Sequence, residues 1–361
     1  WGGLVWNGFV TLTMKLRRRI IVILLTCIGV YVIFFDWSSR AGESIGSQLK
    51  SNSAMLRDPI TIYSPSKNNS TVAVCLLVKN ETLYIDEWMD FHISLGFKVY
   101  LYDNTLTDDL DLRRWYNTRK DIQEYVKIIH FPQRPAQNAA YKQCIEHDAR
   151  NETFVALTDA DEFFILKKHD NIVDFMTDHC DETCGQISLN WNMMTVSNET
   201  NFRPLPILKR NIHANGLWGT IKVIVRPSYV DTERWDWKHS VRLKKGNWVD
   251  TTGEVIKRPN DWRKQANNGG KSDVAVLYHY RFKSPSEFYN KNCIRGDVLN
   301  SGFPKCTQHQ KGGRVEQGMY GGTVDMLAWK QLKKMVPKYA IFDNNTNATM
   351  KVLYPRYPYY Y

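Results

Sequence analysis

Asp159 and Asp161 stand two positions apart where an apolar run ends. If the backbone stays extended there, side chains at i and i+2 share a face, with Cα atoms about 6.6–7 Å apart. Two carboxylates that close repel unless a cation lies between them, and a hard divalent ion is the natural occupant. Such an ion can neutralise a departing diphosphate as a Lewis acid. An isolated Asp-x-Asp is more often a solvated acidic turn. Here the hydrophobic strand before the pair and Phe163-Phe164-Ile165 after it argue against exposure. Glu162 adjoins the pair but would point to the other face of an extended strand.

The elements that must position these groups alternate. Val72–Val78, Phe97–Tyr102, Tyr125–Phe131 and Thr153–Leu157 read as buried strands. Helices are predicted over Leu83–Leu95, closed by Gly96, and over Ala136–Arg150. This alternation argues for an α/β fold with a right-handed βαβ sheet of Rossmann type. Ligands of such sheets bind at the carboxyl ends of the strands. Lys79-Asn80-Glu81, Asp103-Asn104 and Asp159-Ala160-Asp161-Glu162 all fall there. In the second half, Gly185–Leu189, Ile221–Val225 and Val274–Tyr280 read as strands and Pro285–Cys293 as a helix, with a loop over Gly302–Gly322.

Of the 361 residues, 43% are hydrophobic and 24% charged, with a net charge of +11. That excludes a disordered chain, a collagen and a polytopic membrane protein. No helix-turn-helix, zinc-finger or RNP pattern is present, so no nucleic-acid partner is expected. Lys15 to Arg19 is basic, and the sixteen apolar residues from Ile20 to Phe35 follow it. At roughly 1.5 Å per residue they span about 24 Å. With Trp37 as an interfacial anchor, residues 20–37 read as a transmembrane signal anchor, although a cleaved signal peptide is the alternative. The positive-inside rule places residues 1–19 in the cytosol, and residues 1–13, upstream of Met14, are open to reading as a gene-model extension. A polar stem over 38–70, a globular domain over 71–335 and a tail over 336–361 complete the expected organisation. Sequons at Asn68, Asn69, Asn80, Asn151, Asn198, Asn344 and Asn347, together with six cysteines beyond the anchor, point to the secretory lumen. Cys180 with Cys184, and Cys293 with Cys306, are conceivable pairs, but spacing does not decide connectivity.

An ordered series of motifs resembles glycosyltransferase family 92 and the close glycosyltransferase-2-like family. It begins with Val78-Lys79-Asn80-Glu81, Glu87-Trp88, Phe91-His92-x-x-Leu95-Gly96 and Tyr102-Asp103-Asn104. It continues through Ala139-Ala140-Tyr141, Asp159 to Phe163, Asn190-Trp191 and Lys222 to Pro227. It ends with His279-Tyr280-x-x-Lys283-Ser284, Glu287-Phe288 and Arg295-Gly296. The resemblance covers about residues 72–297. One departure stands on the acceptor side, where Asn192 to Val196 replaces a Phe-Gly-Ser-containing turn.

The resemblance implies a GT-A fold: a Rossmann-like mixed sheet with helices on both faces. It implies that Asp159 and Asp161 bind Mn²⁺ (or Mg²⁺) with a nucleotide sugar, a UDP-sugar being the expected donor, and that His279 completes the metal shell. Lys79, Asn80, Glu81, Asp103 and Asn104 would lie beside the nucleoside. Lys222 and Arg226 could stabilise phosphate charge, or could be surface groups at a strand end. The implied reaction is inverting transfer, with galactose from UDP-galactose the expected case, onto a glycan, glycoprotein or polysaccharide hydroxyl. Its carboxylate base is open among Glu162, Asp231, Asp236 and Glu254. Trp191, Trp218, Trp235 and Trp237 could stack on sugars or pack in the core. A glycan on Asn80 would block the site, so that sequon is expected to be unmodified. The expected location is the Golgi membrane, as a single-pass type II protein with a luminal catalytic domain. The oligomeric state is open, a homodimer included. A catalytically silent carbohydrate-binding protein on the same fold is the alternative. A glycoside hydrolase would need a pair of cleft carboxylates that nothing in the sequence marks.

Overall fold

The computed structural model describes residues 2–6, 9–16, 19–26, 29–36, 70–105, 112–197, 200–235, 239–257, 270–295 and 318–355. The chain divides into two compact units, Trp1–Asp58 and Pro59–Tyr361. In the first, β1 (Gly2–Trp6), β2 (Phe9–Leu16), β3 (Arg19–Thr26) and β4 (Gly29–Asp36) form an antiparallel sheet in chain order. The expected membrane-crossing helix over 20–37 is therefore not what the structure draws. Among the described residues no helix is long and apolar enough to cross a membrane. Ile20, Ile21, Val22 and Ile23, and Val30, Val32 and Ile33, are β-branched, which favours strands wherever lipid does not impose a helix. The stem falls almost wholly outside the described residues.

The second unit is built on one mixed sheet. Its strands are β5 (Val72–Val78), β6 (Lys98–Asp103), β7 (Val126–His130), β8 (Phe154–Asp159), β9 (Glu162–Leu166), β10 (Cys184–Thr195), β11 (His213–Val225) and β13 (Ala275–His279). Their spatial order is β7-β6-β5-β8-β11-β10-β13-β9, with the short strands β12 (Asn247–Val249) on β10 and β14 (Thr323–Val324) on β11. Strands β5 to β8 run parallel, as the βαβ reading predicts. β11 runs against β8 and against β10, so β10 and its parallel neighbour β13 share the direction of β8. The carboxyl ends of β5, β6, β8, β10 and β13 thus meet at one edge. β9, antiparallel to β13, begins there.

β5 shows why the sheet is central. Val72, Val74, Leu76 and Val78 enter one core, while Ala73, Cys75 and Leu77 enter the other. Both faces are dry, which demands the unbroken apolar run seen in the sequence. Each fully buried Val or Leu contributes about 1.5–3 kcal/mol. The first face carries α1 (Ile85–Ser94), which ends at Gly96 with φ of 97°, and α4 (Ile172–His179), capped by Asn171. The second carries α3 (Gln137–Gln143), which runs into the π-helical Cys144–Asp148 and is tied to β5 by the Cys75–Cys144 disulfide. Cys180 and Cys184 also bridge, and Cys293 is disulfide-bonded; its expected partner Cys306 lies outside the described residues. Further α-helices among the described residues are α5 (Ile207–Arg210), α6 (Pro285–Tyr289), α7 (Leu327–Met335), α8 (Ile341–Asn344) and α9 (Met350–Leu353), with α2 (Leu112–Thr118) earlier in the chain.

Residues beyond 335, expected as a tail, belong to this core: Tyr339, Phe342, Ala348, Met350 and Tyr354 are all buried in it. Its polar anchor is Asp90 on α1. That carboxylate, fully buried, takes the Arg119 guanidinium at 2.5 Å, the Lys338 ammonium at 2.9 Å and the Tyr339 and Tyr354 hydroxyls. Burial alone would raise its pKa, but Lys338 and Arg119 bring it down to about 2.

Candidate active site at the sheet edge

The backbone turns at Ala160-Asp161 between β8 and β9, so the extended spacing assumed from sequence does not hold. Asp159 and Asp161 face different partners. Asp159 accepts from Gln137 Nε2 at 2.5 Å and Tyr141 OH at 3.1 Å, and from Lys222 Nζ at 2.9 Å. Glu162 shares that lysine at 3.3 Å, and accepts from Thr158 Oγ1 and the Asp159 N–H, each at 2.9 Å. Burial pushes the Glu162 carboxyl up, against the pull of Lys222. Lys222 is fully buried between two acids, and they hold its pKa up despite its desolvation. This cluster locks the turn from beneath.

Asp161, 3% exposed, takes the Lys291 ammonium on one oxygen, and its other oxygen lies 3.6 Å from His279 Nε2. Burial works to raise its pKa, but Lys291, His279 and Lys283 outweigh it and hold the carboxyl well below the usual range. The backbone C=O of Asp161 accepts from the Tyr280 N–H at 2.7 Å, fastening the turn to β13. His279 Nδ1 is buried without a hydrogen-bond partner, and the Trp191 ring lies 4.2 Å from the imidazole, centroid to centroid. Trp191 sits where β10 slips register against β11 between Asn190 and Trp191, a bulge that re-aims side chains.

Beside this pair, Glu81 binds Arg295 and lies 3.5 Å from the Lys283 ammonium, and Arg295 Nη1 donates to the Lys79 carbonyl at 2.8 Å. Burial would raise the Glu81 carboxyl, yet Arg295 and Lys283 bring it down. Asn80 has φ of 52°, its N–H donates to Thr105 Oγ1 at 3.2 Å, and its Oδ1 is buried without a partner.

The structure thus brings together Lys79, Asn80, Glu81, Asp159, Asp161, Glu162, Lys222 and His279. Asp103 and Asn104 stand at the same edge in a bracing role: Asp103 accepts from the Thr105 N–H at 2.9 Å, and Asn104 donates to the Phe131 and Gln133 carbonyls at 2.6 and 3.0 Å. Arg226 goes elsewhere. β11 runs against β8, so its carboxyl end lies at the opposite edge, and Arg226 there donates to the Asp181 carbonyl at 3.1 Å and covers the Phe154 ring. Asp231 follows it, its carboxylate taken by Arg234 at 2.5 Å. Glu254 binds Lys271, and Asp236 and Trp237 lie outside the described residues. Trp235 packs against the second core, and Trp218 is exposed. Lys291 and Gln137 carried no signal, because a lone Lys or Gln on a helix reads as a solvated group; Tyr141 stood in a quoted motif without a role.

A carboxylate oxygen and an imidazole nitrogen side by side are a donor set suited to Mn²⁺. Among the described residues no three His, Cys, Asp or Glu converge as one ligand group, so Asp161 and His279 are the pair that fits such an ion. Asp159, engaged by Lys222, Gln137 and Tyr141, stands outside that pair.

Residues 69–293 match the model of glycosyltransferase family 92. The chain belongs to glycosyltransferase family 92. A family 92 protein of Ricinus communis is 22% identical over 201 residues, 48% of this chain, and the chain spans only about a third (32%) of that relative. Among solved structures, the Pyrobaculum calidifontis mannosyltransferase PcManGT in complex with GDP-Man and Mn²⁺ is 21% identical, covering 41% of this chain and 44% of its own, with a TM-score of 0.27. HddC of Yersinia pseudotuberculosis is 9% identical, covering 60% and 96%, with a TM-score of 0.31. The family 92 match spans every site residue from Lys79 to Lys291.

Proposed function

We propose that this chain is a GT-A glycosyltransferase that moves a sugar, galactose from UDP-galactose in the preferred case, to a glycan hydroxyl by inverting displacement with a bound divalent cation. One observation carries the reading: a buried carboxylate, Asp161, stands 3.6 Å from the Nε2 of a buried imidazole, His279, at a sheet edge crowded with cationic side chains. Asp161 and His279 would hold the cation, which when bound supplies Lewis-acid stabilisation of the diphosphate leaving group. Lys283, Lys291 and Arg281 offer positive charge to the same phosphates; burial and the nearby Asp161 both act on Arg281. Glu81 and Asn80 lie beside the nucleoside, and Trp191 presents a ring at the sugar subsite. Glu162 is a positioning residue in this scheme and not the base: it is fully buried, its Oε2 is engaged by Thr158, Asp159 and Lys222, and its Oε1, without a hydrogen-bond partner, is enclosed with it.

The sequons and disulfides support a luminal location, for which the Golgi is the proposed compartment. In a bilayer, where backbone groups must be satisfied within the segment, residues 20–37 would be helical and serve as the anchor. The test is to incubate the detergent-solubilised full chain with nucleotide sugars, a glycan panel and Mn²⁺. Nucleotide release and a glycan product are expected. Both should fall at least about a hundredfold in Asp161→Asn and be abolished by EDTA. Glycan binding without turnover would favour the carbohydrate-binding alternative, and undiminished turnover in EDTA would remove the metal from the scheme.

A further inference from the structure

We infer that Lys291 is an exchangeable internal counter-ion: its ammonium stands on Asp161 in the place a divalent cation would take, and crosses to the donor diphosphate when the cation binds. The inference deepens the metal-dependent reading above and rests on it. Two lysines neutralise the two aspartates, and they differ. Lys222 is fully enclosed, shared by Asp159 and Glu162, and has nowhere to go. The Lys291 side chain is 27% exposed while Asp161 is 3% exposed, so the ammonium can leave and the carboxylate cannot follow.

The π-helical segment that carries Lys291, Asn290–Arg295, is held in place independently, because Arg295 is bound to Glu81 and to the Lys79 carbonyl. A flexible four-carbon stem can therefore swing without moving the backbone. Charge balance points the same way. Lys283, Lys291, Arg295 and Arg281 surround Asp161 and Glu81, four cations against two carboxylates. An ammonium on the carboxylate competes with a metal for the same lone pairs and repels it, so metal and phosphate binding become coupled through one side chain.

The experiment titrates the full chain with Mn²⁺ alone, reading free Mn²⁺ by electron paramagnetic resonance. It is repeated with UDP or GDP, whichever the wild type holds, in saturating Mn²⁺. Lys291→Met and Lys291→Gln should each bind Mn²⁺ alone about tenfold more tightly and the nucleoside diphosphate about tenfold more weakly, roughly 1.4 kcal/mol in opposite directions. A lysine that only braces the turn would weaken both, and that result, or unchanged Mn²⁺ affinity in both variants, overturns the inference while leaving the metal site standing. A wild type that takes up no Mn²⁺ removes the metal-dependent reading, and this inference falls with it. Melting temperatures report folding separately, and a variant that melts early is replaced by the other.

Discussion

At the scale of single residues, the site is a set of acids distinguished by what neutralises them. Asp161 is paired with an ammonium that can leave, Asp159 and Glu162 with one that cannot. Glu162 stood among the candidate bases because it is a carboxylate beside the pair, and sequence has no means of seeing that it is fully buried, with Thr158 Oγ1 and the Asp159 N–H on its Oε2. Glu162→Gln keeps an acceptor toward those two donors. It is expected to retain the acid limb of the pH–rate profile, with kcat reduced no more than about tenfold. Loss of that limb in the variant would restore Glu162 as the base.

At the scale of elements, the parallel half of the sheet was legible because both faces of β5, β6 and β8 are buried and an apolar run can mean little else. The predicted and observed β5 coincide, Val72–Val78. β9 and α4 were not foreseen. The five residues of β9 were read as apolar flanking sequence, since a strand that starts two residues after the last one ends looks like its continuation. β9 instead crosses to pair with β13, a non-local choice no local pattern encodes. Helix α1 carries opposed titrations. Burial lowers His92 to about 3 from 6.5, so folding stability that it contributes above pH 6.5 is lost as pH falls toward 3. Burial raises Glu87 from 4.5 to about 7, against its hydrogen bonds from the Leu208 and Ile207 N–H groups, so stability it contributes below pH 4.5 is lost as pH rises through 7. Each amounts to about 1.4 kcal/mol per pH unit. From pH 6.5 to 4.5 the two contributions cancel, and below 4.5 stability drops. In His92→Phe, denaturant melts should show stability rising as pH falls from 6.5 to 4.5; a slope as flat as that of the wild type would contradict this account.

At the scale of the whole molecule, the net charge of +11 gave no location, yet part of it is gathered where a diphosphate would lie. The sequons divide in the same way. Asn151, Asn344 and Asn347 are exposed, whereas Asn80 has a buried amide oxygen at the site. Glycopeptide mass spectrometry of secretory-pathway material should find glycans on the first three and none on Asn80; a modified Asn80 in active enzyme would displace the nucleoside subsite from this edge. The boundary placed at residue 335 misread the last helices because their short, polar-flanked runs resemble a tail, while their burial depends on partners more than two hundred residues earlier.

That long reach bears on how the polypeptide is made. Asp90 is translated 249 residues before Tyr339 and 264 before Tyr354, and Lys338 is made with them. Until then Arg119 is the cation among the described residues that can balance the charge, and a desolvated carboxylate short of partners resists burial. Helix α1 is therefore expected to settle only once the Lys338–Tyr354 segment has been made, and a nascent chain stalled before that segment would present the helix to chaperones.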